Sequence, residues 1–141
     1  MRQYRGRRKD NGEWVYGWYV KDWEGGSHIV TEFGPYKTHC WDCGANEQES
    51  FKVDPDTVGQ WTGLCDKNWN MIYEGDIVKG HRWVNGKSQR LVGKVEYVAN
   101  KYVVTGIGKY SWNEQDDLNG SYEIIGNIHD HPHLLKGDEN E

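Results

Sequence analysis

The sequence predicts an all-β fold, and three features of it do so. Val, Ile and Thr number 12, 7 and 5, with 19 aromatic residues, against only 2 Ala and 5 Leu. β-Branched and aromatic side chains suit a pleated, half-buried surface, whereas Ala and Leu are the strongest helix formers. Eighteen glycines supply turns, and tight-turn dipeptides recur between the runs of strand formers. The hydrophobic fraction is only 35% of 141 residues, but eight Trp and nine Tyr are present. Each large aromatic buries about 150–250 Å², so a short chain can build its core from them.

The elements follow in order. Residues 5–9 read as a first strand, closed by the turn Asp10-Asn11-Gly12. Residues 13–20 form a second, with Trp14, Tyr16 and Trp18 on one face by alternation and expected to be buried. Residues 27–33 are a third strand, 34–50 an irregular loop, and 51–58 extended. Strands at 60–64 and 71–73 flank a turn at Asp66-Lys67-Asn68, where Asp66 can accept backbone N–H bonds. A strand beginning near Gly75-Asp76 turns at Asn85-Gly86 and returns over 90–98. Ala99-Asn100 turns it again into 101–107. Residues 111–118 suit one helical turn, capped by Asn113, and 122–128 a last strand. This spacing predicts an N-terminal β-meander over 1–60, a small SH3-like barrel over 61–136 and a frayed tail over 137–141.

Three strings carry a resemblance. The first is Gln60-Trp61-Thr62-Gly63-Leu64 with Asp66 and Ile72-Tyr73-Glu74-Gly75-Asp76-Ile77-Val78. The second is the ending Glu123-Ile124-Ile125-Gly126-Asn127-Ile128, with Asp130, Pro132, Leu134 and Leu135. The third is Arg5-Gly6-Arg7 with Asn11-Gly12-Glu13-Trp14-Val15-Tyr16-Gly17. Together they closely resemble the YopX proteins of bacteriophages and prophages over nearly the whole chain. The resemblance implies a mainly β protein and brings no catalytic residues and no established molecular function. Cys65, the Cys40/Cys43 pair and the run from Ile128 to His133 depart from the family's pattern.

Charge is unevenly distributed. Residues 1–9 carry five basic side chains and no acid. Residues 77–112 carry seven basic residues against Glu96 alone, and the remainder holds five basic residues and 21 acids. The second segment interleaves its cations with Trp83, Tyr97, Tyr102, Tyr110 and Trp112. Cations neutralise phosphates and aromatics stack on unpaired bases. A nucleic-acid contact would therefore fall on Lys79, Arg82, Trp83, Lys87, Arg90, Lys94, Lys101 and Tyr102. The competing reading is a solvated basic surface over an aromatic core, and Tyr97 shares the strand face of Val95.

The other motifs are weaker. Cys40 and Cys43 are spaced to grip one zinc ion, with Cys65 and a histidine as further ligands. No second pair of that spacing exists, and free thiols are the expectation. His129, His131 and His133 would share a face if extended, but Pro132 weakens strand pairing there. Gly86-Lys87-Ser88 lacks the glycine that a phosphate loop needs five residues earlier at position 81, which is His81. The acids Glu74, Asp76, Asp116 and Asp117 show no pattern of one apolar and one solvated carboxyl.

No enzyme and no cofactor is expected. The chain lacks an apolar run of 18 residues and an apolar stretch behind its N-terminal cations, and it has three Cys. These features predict a cytoplasmic protein off the membrane, and the resemblance implies that the cell is a bacterial host. The leading expectation is an accessory protein that binds a host or phage protein, with self-association into a homo-oligomer as one form of that role. Nucleic-acid binding through 77–112 is the alternative.

Overall fold

The computed structural model describes residues 3–31, 49–111 and 115–136. The chain divides into two compact units, Met1–Gln60 and Trp61–Glu141. The described strands form two antiparallel sheets, and the helical segments are short 3-10 turns.

The first unit is a meander. Strands β1 (Tyr4–Arg7), β2 (Trp14–Lys21), β3 (Ser27–Val30) and β4 (Ser50–Lys52) pair in succession. The opening residues of β5 (Gly59–Cys65) pair with the free side of β1, Gly59 opposite Arg5. The first turn is longer than the expected tight turn. Arg8 N donates to Glu13 O at 2.9 Å, and the Asn11 side chain accepts from Glu13 N.

The face holding Trp14, Tyr16 and Trp18 is not the buried one. Trp14 and Tyr16 are half-buried and Trp18 is 46% exposed. Cross-strand pairing sets Arg5 opposite Tyr16 and Arg7 opposite Trp14. The Arg5 and Arg7 guanidinium carbons lie 4.8 and 5.6 Å from the Trp14 ring centroid, so arginines cover this face. Close packing occurs on the other face, at the fully buried Ile29 and at Gly17. A Cβ on Gly17 would lie 2.0 Å from Val30 O, a contact only glycine avoids.

In the second unit the rest of β5 pairs with β6 (Met71–Tyr73), Trp61 opposite Tyr73 and Cys65 opposite Met71. The other strands are β7 (Asp76–Val84), β8 (Lys87–Val98), β9 (Lys101–Gly106), β10 (Asp116–Asp117) and β11 (Glu123–Asn127). Their order is β10-β9-β8-β7-β11. Asn85-Gly86 and Ala99-Asn100 form the two-residue turns, all four with positive φ, as a type I′ hairpin turn requires.

Two expectations are corrected. The sheet is open, with β10 and β11 as its edges, so the described strands do not close an SH3-like barrel. The helical turn expected over 111–118 gives way to β10, which pairs with β9; residues 112–114 lie outside the described residues. Tertiary bonds explain the second difference. Tyr122 Oη donates to Asp116 Oδ2, and Leu118 N donates to Tyr102 O.

The core gathers Ile77, Val78, Leu91, Val92, Val95 and Val104, each at most 1% exposed. Consecutive buried residues at Ile77-Val78 and Leu91-Val92 mean that both sheet faces are covered there. Tyr122 lies across one face, where a Cβ on Gly80 would come within 2.6 Å of its ring. The string Tyr73-Glu74-Gly75-Asp76 is a structural turn. Buried Asp76 accepts from Tyr73 N, and Gly75 N donates to Val95 O.

Candidate nucleic-acid interface

The register of the β7–β8–β9 meander decides which predicted residues share a surface, since paired residues point to the same side. Ile77 is opposite Lys94, Lys79 opposite Val92, His81 opposite Arg90 and Trp83 opposite Ser88. Lys101 is opposite Val98. Lys79, Trp83, Arg90, Lys94 and Lys101 therefore share one side, with His81. Arg82, Lys87 and Tyr102 lie on the other. Tyr102 packs against Tyr97 with the rings tilted, their centroids 4.9 Å apart.

Not all of these cations face solvent alone. Lys101 pairs with Asp117 at 2.8 Å and Lys94 with Glu96 at 3.4 Å. Glu96 also accepts from the Thr105 hydroxyl at 2.6 Å. These two lysines serve the sheet itself.

The remaining cations belong to a distinct element. Among the described residues, β11 accompanies β7 only as far as Lys79, and β9 accompanies β8 only from Gly93. Residues 80–84 and 87–91 are thus a two-stranded ribbon bordered by no third strand. Residues 79–91 hold Lys79, Arg82, Lys87 and Arg90 and no carboxylate. Arg82 and Lys87 are on one ribbon face and Arg90 on the other, beside Trp83, which is 75% exposed.

At the base of this ribbon an open depression of about 260 Å³ is lined by Lys67, Lys79, His81, Arg90, Ser121 and Glu123. It arises because β11 begins at Glu123, opposite Lys79, leaving β7 bare beyond that point. Glu123 Oε1 is 3.4 Å from Lys67 Nζ and 3.7 Å from Lys79 Nζ.

Lys67 is placed by Asp66. The buried Asp66 carboxylate accepts from Asn68 N and Asn70 N at 2.9 Å and from Ile124 N at 3.1 Å. Burial pushes its pKa up, but the N–H donors of Asn70, Ile124 and Asn68 together outweigh that and hold it below the usual carboxylate value. The same loop presents Trp69, 85% exposed and with φ of 67°, a left-handed conformation that bulky residues avoid. Tyr122, the residue before β11, is driven above the ordinary phenol pKa by burial and by Asp116, so it stays a donor.

Sequence reasoning missed Lys67, His81 and Glu123 as parts of one cluster. The turn at Asp66-Lys67-Asn68 was a signal for Lys67, whereas Glu123 joins only through the β7–β11 register.

Of the residues considered for metal, Cys40 and Cys43 lie outside the described residues. Cys65, at the end of β5, is a half-buried free thiol. Among the described residues no three His, Cys, Asp or Glu side chains cluster to hold a metal ion. The histidine run is not extended: residues Pro132–Lys136 form a 3-10 turn, and His131 Nδ1 accepts from Asn127 N at 3.2 Å. Among the described residues no helix is long and apolar enough to cross a membrane.

A family model described as YopX protein matches residues 3–136. No curated protein matches the chain. The crystal structure of protein EF1440 from Enterococcus faecalis is similar, with a TM-score of 0.51. The match is 17% identical and covers 96% of this chain and 98% of that one, a likeness of fold alone.

Proposed function

The chain belongs to the YopX family, and we propose that it serves a phage or prophage as a non-enzymatic binding module whose partner is nucleic acid. The observation that supports this most is the acid-free ribbon over 80–91, with cations on both faces and an exposed Trp83. A two-stranded ribbon fits the major groove, about 12 Å wide, and cations on both sides reach phosphates on both walls. Lys and Arg also blunt the exposed edges of a sheet against aggregation. That role does not account for Trp83, which adds apolar surface where edge protection calls for its removal.

Charge reversal tests the reading. Lys87→Glu with Arg90→Glu is expected to weaken binding of single-stranded or duplex oligonucleotides at least about tenfold by fluorescence anisotropy. The melting temperature should stay within the range of exposed substitutions, under about 0.5 kcal/mol. Lys52→Glu, in the first unit, serves as a control and should leave affinity nearly unchanged. Equal loss in the double variant and the control would overturn the ribbon's role.

A protein partner is the second reading. It is favoured by Trp18 and Val20, 46% and 45% exposed on one face of β2. Loss of a captured partner on Trp18→Ser, with nucleic-acid affinity intact, would assign the binding role to the first unit instead.

A further inference from the structure

We propose that the depression at the base of the ribbon is a subsite for a phosphate monoester dianion. The source is the terminal phosphate of a nucleic-acid strand or a free mononucleotide; the first rests on the function proposed above. Three separate parts of the chain converge on it: Lys67 from the loop after β5, Lys79, His81 and Arg90 from the β7–β8 hairpin, and Glu123 from β11. Register, not chance proximity, creates it, since Lys79 is paired with Glu123 and His81 with Arg90 on one side of the sheet.

The charges select the ligand. Lys67, Lys79 and Arg90 against Glu123 leave a formal charge of about +2, counting only these four side chains. A phosphate monoester carries about −1.5 to −2 near pH 7, whereas a diester linkage carries one charge. The monoester is therefore the better match. The Glu123 carboxylate holds Lys67 and Lys79 at 3.4 and 3.7 Å. Both lysines are ion-paired with Glu123, and an incoming phosphate competes with that carboxylate for them. The volume of about 260 Å³ is several times the roughly 30 Å³ of a water molecule and admits a phosphate with part of its sugar.

The test compares one short oligonucleotide bearing a 5′-phosphate, a 3′-phosphate or hydroxyls at both ends, together with a mononucleotide. A terminal phosphate is expected to tighten binding about tenfold. Lys67→Gln should erase that difference, and Glu123→Gln should enlarge it by removing the competing carboxylate. Lys87→Glu should weaken phosphorylated and unphosphorylated strands by the same factor. Equal affinity for phosphorylated and hydroxyl ends would overturn the subsite and leave the ribbon's function standing. If no oligonucleotide binds, the function fails and the mononucleotide decides the subsite. Saturable amide shifts at Lys67, Lys79 and His81 in the millimolar range support it, and none up to about 10 mM overturns it.

Discussion

Asp66 shows how one side chain can organise a surface. Its three backbone donors tie the loop after β5 to the start of β11, and Lys67 and Trp69 ride on that loop. Its folded pKa is depressed, so its stabilisation is present above the unfolded value of about 3.9 and is lost as pH falls through the folded value. The window of lost stability is therefore below about pH 4. Asp66→Asn is expected to destabilise by about 1–3 kcal/mol at neutral pH, because a charged acceptor of several N–H groups becomes a neutral one. Melting followed from pH 6 to pH 2 should also show a shallower decline in the variant. An unchanged profile would remove Asp66 from this role. Its turn was legible in the sequence, since Asp before Lys-Asn is a turn signal. Its bond to Ile124 was not, because no local pattern links residues 58 apart.

The hairpin is the element on which the proposed function rests. Asn85-Gly86 and Ala99-Asn100 fixed its registers in advance, and alternation along β8 put Arg90 and Lys94 on one face. The extent of the ribbon was not legible, because it depends on where β9 and β11 stop. Alternation also misled at Trp14, Tyr16 and Trp18. A period of two identifies a face but does not say whether apolar side chains or arginines cover it. An isolated two-stranded hairpin is marginally stable, so the ribbon should open more readily than the sheet that anchors it. Amide hydrogen exchange is expected to be faster over 81–90 than at Gly93 and Lys94, where β8 pairs with β7 and β9 at once. Equal protection would mean that the ribbon is bordered in solution, for instance by a second copy.

For the chain as a whole, the formal net charge is −5 at pH 7. Phosphate binding by an acidic protein needs its cations to be segregated, and the sequence already segregates them into 1–9 and 77–112. The structure adds that Lys94 and Lys101 pair with Glu96 and Asp117, and that the segment 80–91 contains no acid. Composition was enough to read the all-β class, but not closure. A barrel and an open sheet share the same strand spacing and differ only in whether the edges meet.

The most direct measurement is oligonucleotide affinity as a function of salt. With Arg82, Lys87 and Arg90 on phosphates, and Lys79 as a fourth contact, the plot of log K against log salt should fall with a slope of about −3 to −4. Lys87→Glu with Arg90→Glu should flatten it by about two. The absence of binding at about 50 mM salt, where charges are least screened, or a slope near zero, would contradict the account.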